Sequence, residues 1–258
     1  MSKPTAVALV TGSGRRRLGW EVARALAERG YALAVHYYRS VESARENVEW
    51  LRQRGYRAEL FQADLREEES VRALVASVTQ TFGRLDVLVN AAAIWESQSL
   101  EQTTAADLRR HWETNVLGSF LCAQQAGLVM VQQTEGGCII NFGDWAVVRP
   151  YRDYAAYFVS KGAIPTMTRV LAVELALRNP RVRVNAILPG PVMVPETLTP
   201  EEQAAIARAT LVRRLGEPRH VVQAVLFFLE NDFLTGVCLR VDGGRAIFAP
   251  GEQDMPEA

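Results

Sequence analysis

A carboxylate, a phenol and an amine lie within one short segment of the chain, at Asp144, Tyr157 and Lys161. Tyr157 and Lys161 are four residues apart, so on a helix they share a face. An ammonium group beside a phenol favours the phenolate, and we therefore expect Lys161 to lower the pKa of Tyr157 from its usual value of about 10. Such a tyrosine can donate a proton near neutral pH. The same pair on a solvated helix face would have no chemical role, so the surrounding elements must decide between the two interpretations.

The composition limits the classes of partner. The 258 residues are 48% hydrophobic, which is ample for a buried core, and the formal net charge is zero. A neutral chain has no electrostatic attraction to nucleic acid or to an anionic membrane, and no run approaches the ~18 apolar residues of a membrane-spanning helix. The cysteines Cys122, Cys138 and Cys238 and the three histidines are dispersed. We therefore expect no metal site, no nucleic-acid or membrane partner, and a reducing cytoplasm as the location.

Strand patterns alternate with helix patterns along the whole chain. Strands are predicted near residues 5–11, 31–38, 56–62, 85–90, 136–143, 181–188 and 236–241. Helices are predicted near residues 20–28, 41–54, 67–82, 103–112, 114–133, 153–179, 200–209 and 217–229. This alternation predicts an α/β fold, with a doubly wound parallel sheet of Rossmann type, about seven strands and helices on both faces. We expect a single domain over residues 1–258, with a substrate loop near residues 193–215.

The first predicted strand runs into a glycine-rich turn, residues 11–19, and then into a helix. In this context a turn with Gly12 is typical of a phosphate-binding loop, because glycine lets the backbone approach a pyrophosphate and the helix N-terminus supplies N–H donors. An ordinary glycine-rich turn is the alternative. The second strand ends at Arg39 and Ser40, without the acidic residue that bonds the ribose 2′-hydroxyl of NAD. Arg39 and Ser40 instead suit the 2′-phosphate of NADP.

The remaining polar residues also follow strands. Parallel sheets bind ligands at the carboxyl ends of their strands. The features predicted at those ends are the loop at 11–19, Arg39, Asp64, Asn90, Asp144 and the Pro189–Gly190 pair. Their common position favours a chemical role for Tyr157 and Lys161 over a solvated face.

Over nearly its full length the sequence resembles the short-chain dehydrogenase/reductase family. The matching segments are the loop at 11–19, Asp64, Asn90 to Ala93, Asn115, Tyr157 with Lys161, Pro189–Gly190, Thr235–Gly236 and Asp242 to Gly244. The resemblance implies that Tyr157 is the proton donor, that Lys161 binds the nicotinamide ribose and lowers the tyrosine pKa, and that Asn115 holds a water in a proton relay. The cofactor-binding residues then expected are Gly12, Ser13, Arg17, Leu18, Tyr38, Arg39, Ser40, Asp64, Leu65, Asn90, Ala91, Ala92, Tyr157, Lys161, Pro189, Gly190 and Val192.

Most of the family carries a serine thirteen residues before the tyrosine, where this chain has Asp144. A serine hydroxyl donates to a carbonyl oxygen that is becoming an alkoxide, whereas an ionised carboxylate repels it. Either Asp144 is protonated in use, or the substrate is a heterocycle with N–H donors and a protonatable ring nitrogen rather than a simple ketone.

The pteridine reductase branch is similar to this sequence at that position and at two others. The shared features are the aspartate, Arg17-Leu18-Gly19 at the end of the loop, and His36-Tyr37-Tyr38-Arg39-Ser40. The branch reduces pterins or folates with NADPH. The resemblance implies that Asp144 orients the pterin amino edge and assists protonation, and that Arg17 reaches both the phosphates and the substrate.

The substrate side is expected to involve Arg17, Ile94, Trp95, Asp144, Trp145 and Tyr157. Ile94 stands where the branch has a stacking phenylalanine, and Trp95 or Trp145 could offer the aromatic face that a flat ring prefers, or could serve packing. The branch also implies a homotetramer through the helices at 114–133 and 153–179. Two alternatives stay open: a carbonyl or 3-oxoacyl reductase in which Asp144 is a neutral acid, and a non-catalytic NADP-binding protein.

Overall fold

A computed structural model describes residues 5–248, and these residues form one sheet of seven parallel strands in the order β3-β2-β1-β4-β5-β6-β7. The strands are β1 (Val7–Thr11), β2 (Ala32–Tyr37), β3 (Ala58–Gln62), β4 (Val87–Asn90), β5 (Gly137–Phe142), β6 (Val182–Pro189) and β7 (Cys238–Val241). The predicted α/β fold with a doubly wound sheet is confirmed. The predicted domain range of 1–258 also covers residues 1–4 and 249–258, which lie outside the described residues, and it stays a prediction.

Eight α-helices connect the strands of the described chain. They are α1 (Leu18–Glu28), α2 (Val41–Gln53), α3 (Glu68–Phe82), α4 (Ala105–Trp112), α5 (Gly118–Met130), α6 (Ala155–Ala176), α7 (Pro200–Arg208) and α8 (Pro218–Glu230). The predicted substrate loop lies between β6 and α8 and contains α7, as the sequence indicates.

The central strands are apolar on both faces because helices cover both faces of the sheet. In β1, Val7 and Leu9 pack in the core shared with α3, α5 and α6. The intervening Ala8 and Val10 pack in the core shared with α1, α2 and α8. This period of two explains why β1 is a continuous apolar run rather than an alternating one.

The strand register aligns the carboxyl ends of three neighbouring strands. Thr11 at the end of β1 is paired with Asn90 at the end of β4, and Asn90 is paired with Asn141 near the end of β5. Side chains that follow these strands therefore emerge at one edge of the sheet.

One predicted helix boundary is wrong. Residues 103–112 and 114–133 were expected to form two helices, but α4 continues into α5 through a π-helical turn, Glu113–Leu117. A π-turn adds a residue to the helical turn without ending the helix, and such turns are frequent at functional sites. Asn115 lies within this turn.

Candidate active site

The glycine-rich loop is closely packed on the segment that follows β4. Gly12 has φ of 70°, and a Cβ there would lie 2.9 Å from Cα of Ala92. The hydroxyl of Thr11 accepts hydrogen bonds from the backbone N–H groups of Ala91 and Ala92 at 3.0 and 3.1 Å. Glycine at position 12 is required both by the left-handed conformation and by this close approach.

His36 fixes the conformation of the same loop. Its Nδ1 accepts a hydrogen bond from the N–H of Gly12 at 3.0 Å, and its Nε2 lies 3.2 Å from the carbonyl of Ala63. Because Nδ1 accepts, the ring is neutral and carries its proton on Nε2. The side chain is 2% exposed, and burial lowers the pKa of His36 to about 4. Sequence reasoning identified His36 only as part of a motif and missed this role.

Two further residues of the loop, Ser13 and Arg17, differ in their exposure to solvent. The hydroxyl of Ser13 is buried and donates to the carbonyl of Val10 at 2.7 Å, so it supports the loop from within. Arg17 is exposed at the N-terminus of α1, where Leu18 is the first helical residue. Arg17 therefore presents its side chain to the outside of the loop, as the exposed Arg15 and Arg16 also do.

A cluster of aromatic and basic side chains lies at the ends of β2 and β3. Arg39 and Arg66 each donate to the hydroxyl of Tyr38, at 3.1 and 3.0 Å, and the Arg39 guanidinium lies 4.7 Å from the centre of the Tyr38 ring. Asp64 accepts from Nε of Arg66 at 2.9 Å, and this interaction lowers the pKa of Asp64 to about 2. Sequence reasoning missed Arg66, although a second basic residue two positions after Asp64 was the available signal. Ser40 begins α2 beside this cluster.

The ends of β4 and β5 carry a buried amide network. Nδ2 of Asn90 donates to the carbonyl of Ser119 and to Oδ1 of Asn141, both at 2.9 Å, and Asn141 donates to the hydroxyl of Thr168 at 3.0 Å. Within the described chain, Oδ1 of Asn90 is a buried acceptor with no hydrogen-bond partner. Such an acceptor suits a donor that a bound molecule or a water supplies.

The remaining predicted cofactor residues line the same edge. Gly190 follows β6, and its N–H donates to the carbonyl of Val241 at 2.9 Å. A Cβ at Gly190 would lie 2.5 Å from Cα of Asp242, so β6 and the segment after β7 approach closely here. Pro189 ends β6, while Val192 and Leu65 are buried.

Tyr157, Lys161 and Asp144 meet at the start of α6. The hydroxyl of Tyr157 donates to Oδ2 of Asp144 at 2.7 Å, and Oδ1 of Asp144 accepts from the N–H of Ala146 at 2.8 Å. The ammonium of Lys161 donates to the carbonyl of Phe142 at 2.7 Å. Tyr157 and Lys161 are 6% and 4% exposed, so the face that they share is a buried one.

The protonation pattern of these three groups differs from the sequence-based expectation. Burial and the negative charge of Asp144 raise the pKa of Tyr157 well above 10. Burial raises the pKa of Asp144, and burial lowers the pKa of Lys161 to about 8. The expectation that Lys161 lowers the pKa of Tyr157 is wrong for this arrangement, because the ammonium is directed to Phe142 while the carboxylate contacts the phenol. Tyr157 is therefore a neutral hydrogen-bond donor.

The side chain of Asn115 is hydrogen-bonded to protein groups, and both of its N–H donors are used. Its Oδ1 accepts from the N–H of Ile94 at 2.8 Å, and its Nδ2 donates to the carbonyl of Ile94 and to the hydroxyl of Ser160, both at 3.0 Å. Ser160 in turn donates to the backbone carbonyl of Tyr157 at 2.6 Å. Both N–H donors of the amide are used, so the expectation that this side chain holds a relay water is not supported. Asn115 instead connects the segment after β4 to α6.

The two candidate tryptophans have different surroundings. Trp145 is 8% exposed, packs with Tyr157 and Phe158, and has the guanidinium of Arg245 4.9 Å from the centre of its ring. Trp95 is 44% exposed and stacks on Tyr154, with ring centroids 4.9 Å apart. Trp145 is thus a packing residue of this cluster, and Trp95 is the one with an accessible surface. Ile94, whose backbone is bound by Asn115 and which directly precedes Trp95, is half-buried.

No cluster of three or more histidine, cysteine, aspartate or glutamate side chains within residues 5–248 could hold a metal ion. In the same range, no helix has the length and hydropathy needed to cross a membrane.

The chain is similar to known proteins in both sequence and structure. The sequence profile of a family described as enoyl-(acyl carrier protein) reductase matches residues 13–246. The chain is 36% identical over 245 residues to an uncharacterized oxidoreductase of Methylorubrum extorquens, covering 92% of this chain and 96% of that protein. It is 34% identical over 231 residues to the human 3-oxoacyl-[acyl-carrier-protein] reductase, covering 90% and 94%. A crystal structure of FolM alternative dihydrofolate reductase 1 from Brucella suis, in complex with NADP, superimposes with a TM-score of 0.86 at 29% identity, covering 96% and 98%.

Proposed function

Since the chain belongs to the short-chain dehydrogenase/reductase family of oxidoreductases, which bind a nicotinamide cofactor, we propose that it is an NADPH-dependent reductase of pterin- or dihydrofolate-type heterocycles. The observation that carries this proposal is the hydrogen bond from Tyr157 to the carboxylate of Asp144. A carboxylate at this position repels the oxyanion of a ketone under reduction, but it accepts hydrogen bonds from the N–H groups of a pterin amino edge.

The residues at the sheet edge fit NADPH. Gly12 allows the backbone to approach a pyrophosphate, and the unpaired Oδ1 of Asn90 accepts a donor from a bound molecule. Arg39 provides positive charge for a 2′-phosphate and follows Tyr38 at the end of β2, while Arg66, which is paired with Asp64, binds the same Tyr38 hydroxyl. The Brucella suis structure with NADP supports the same choice. The bound cofactor supplies the hydride.

The chain's own groups control the proton. Tyr157 is neutral, because burial and the charge of Asp144 raise its pKa, and its hydroxyl hydrogen can pass to a substrate nitrogen. Asp144 accepts hydrogen bonds from the amino edge of the ring, and it assists protonation through its contact with the hydroxyl of Tyr157. Lys161 is fully buried on the Phe142 carbonyl, and its positive charge offsets that of Asp144. Arg17, Ile94 and Trp95 complete the proposed substrate side.

A carbonyl or 3-oxoacyl reductase is the second candidate, favoured by the similarity to the human 3-oxoacyl-[acyl-carrier-protein] reductase. In that reaction Asp144 would act in its neutral form as a donor to the substrate carbonyl, and burial raises its pKa, which is the direction that this role needs. The buried contact between Tyr157 and Asp144, with Lys161 on the same helix face, argues against the third possibility, a non-catalytic NADP-binding protein. Nucleotide binding without turnover on a broad substrate panel would favour it.

A crystal structure with NADPH and dihydrobiopterin tests the proposed binding mode. We expect the amino edge of the pterin on the Asp144 carboxylate and the ring beside Ile94 and Trp95. A pterin bound away from Asp144, or no pterin beside a fully bound cofactor, would contradict the proposal.

We further propose a homotetramer formed through α5 and α6. Their outer surfaces expose apolar side chains, including Leu128, Val159, Val170 and Val173. Light scattering at several concentrations tests this, and a stable monomer would exclude it. A cytoplasmic location is proposed on the free thiols of Cys122, Cys138 and Cys238.

A further inference from the structure

Two arginines, Arg149 and Arg245, lie beside the active site, and the guanidinium of Arg149 binds the backbone of the segment that carries Arg245. Arg149 donates through Nη1 to the carbonyl of Arg245 at 3.1 Å and to the carbonyl of Phe248. Arg245 donates through Nη1 to the carbonyl of Ile206, at the end of α7, at 3.4 Å. Its guanidinium also lies over the ring of Trp145. Both arginines are half-buried, so their charges are partly removed from water.

The two guanidinium groups have no carboxylate partner among the described residues. The ion pairs within residues 5–248 include neither Arg149 nor Arg245. The charged or titratable groups that act on Arg245 are Tyr151 and the like-charged Arg149, and burial lowers its pKa. A guanidinium has five N–H donors, of which these contacts use few. Two adjacent, partly desolvated cations with free donors are stabilised by an anion.

The pair lies next to the catalytic groups. Trp145 directly follows Asp144 and packs against Tyr157, and Ala246, the residue after Arg245, packs on the same cluster. Arg245 therefore borders the cluster that contains Tyr157, since its guanidinium covers the ring of Trp145. The α7 carbonyl that Arg245 contacts belongs to the predicted substrate loop.

We propose that Arg149 and Arg245 form a subsite for an anionic oxygen group, a carboxylate or a phosphate, on the part of the substrate distant from the reacting ring. The proposal deepens the proposed function and rests on it for the position of the ring. Guanidinium groups suit this task because their fork of N–H donors matches carboxylate and phosphate oxygens. The subsite selects substrates with a charged side chain over neutral ones of the same ring.

Two pairs of substrates, each with one anionic and one neutral member, test this preference for anionic substrates at saturating NADPH. Dihydrofolate carries carboxylates and dihydrobiopterin does not; acetoacetyl-CoA carries phosphates and ethyl acetoacetate does not. Arg245→Gln should lower kcat/KM for the anionic member of the productive pair by about 10- to 100-fold more than for the neutral member, since hydrogen bonds to charged groups are worth about one to two factors of ten. Arg245→Lys should restore a large part of the loss, which a merely structural role would not predict.

Arg178→Gln is the matched control, because Arg178 is exposed beyond the far end of α6. Equal losses for the anionic and the neutral member in Arg245→Gln, or no loss for either, overturn the subsite. A loss with dihydrofolate identifies a carboxylate as the partner of Arg245. A loss with acetoacetyl-CoA identifies a phosphate.

A binding measurement separates this proposal from the proposed function. Calorimetry with p-aminobenzoyl-glutamate and with coenzyme A, each at saturating NADP, reports on the subsite without turnover. Binding that Arg245→Gln abolishes supports the subsite even if no pterin is reduced. Absence of binding by both probes to the wild-type protein overturns it. If only acetoacetyl-CoA is turned over, the proposed function fails, and the effect of Arg245→Gln still decides the subsite.

Discussion

The hydroxyl of Tyr157 donates a 2.7 Å hydrogen bond to Oδ2 of Asp144, and this contact controls the proton on the phenol. Lys161 lies on the same buried helix face but donates to the backbone carbonyl of Phe142. Burial and the carboxylate of Asp144 raise the pKa of Tyr157, and the site holds a neutral phenol beside an acceptor for N–H donors.

Asp144→Ser should shift the substrate preference from pterins to ketones. It removes the acceptor for a pterin amino edge and supplies a donor for a carbonyl, so we expect kcat/KM for dihydrobiopterin to fall by about 100-fold or more while turnover of a ketone is spared or improved. Steady-state kinetics with both substrates measure the ratio. Asp232→Ser, on the exposed segment before β7, is the control. Equal losses for both substrates would contradict the assigned role.

Tyr157→Phe should cost both activity and stability. Loss of the proton donor should lower kcat by about 100- to 10,000-fold. The buried Oδ2 of Asp144 also loses its donor, which should lower the free energy of unfolding by about 1–3 kcal/mol. Tyr31→Phe, at the opposite edge of the sheet, should change kcat little. Retention of more than a tenth of the wild-type kcat in Tyr157→Phe would show that another group delivers the proton.

His36 should make the stability of the fold depend on pH between about 4 and 6.5. Its pKa is lowered to about 4 by burial, so between these values the unfolded chain binds a proton that the folded chain does not. The contribution of neutral His36 to the free energy of unfolding is fully present above pH 6.5. It is lost as the pH decreases towards 4, and the loss is about 3 kcal/mol. Denaturant unfolding of wild type and His36→Asn at several pH values measures this slope. A wild-type slope in His36→Asn would contradict the assignment.

Arg39→Gln should reduce the preference for NADPH over NADH. The guanidinium lies beside Tyr38 at the end of β2, where a 2′-phosphate is expected, so kcat/KM for NADPH should fall by about 10- to 100-fold while that for NADH is unchanged. Arg66→Gln should have a smaller effect, because Asp64 already neutralises Arg66. Kinetics with both cofactors measure the two ratios, and parallel losses with NADPH and NADH would exclude a phosphate role.

The order of strands and helices was predictable because central parallel strands are continuous apolar runs and each ends in glycine, proline or a polar residue. The strand register pairs Thr11 with Asn90 and Asn90 with Asn141. This alignment explains why the residues at the strand ends could be predicted to lie together at one edge of the sheet. The π-turn at Asn115 was not predictable, because its residues continue the helix and only the hydrogen-bond pattern differs.

The electrostatics of the site could not be read from spacing. Lys161 is one turn from Tyr157, yet its ammonium is directed to Phe142, and only the folded geometry shows this. His36 looked like a dispersed histidine because its partners, Gly12 and Ala63, lie far away along the chain. Arg245 was missed for the same reason, since its contact with Trp145 joins segments about a hundred residues apart.

Steady-state oxidation of NADPH by the purified protein, with dihydrobiopterin or dihydrofolate beside ethyl acetoacetate and acetoacetyl-CoA, tests the central claim most directly. Reduction of a pterin with a kcat/KM well above that for either ketone is the predicted result. No turnover of either pterin, together with normal turnover of a ketone, would contradict the account and identify the protein as a carbonyl or 3-oxoacyl reductase.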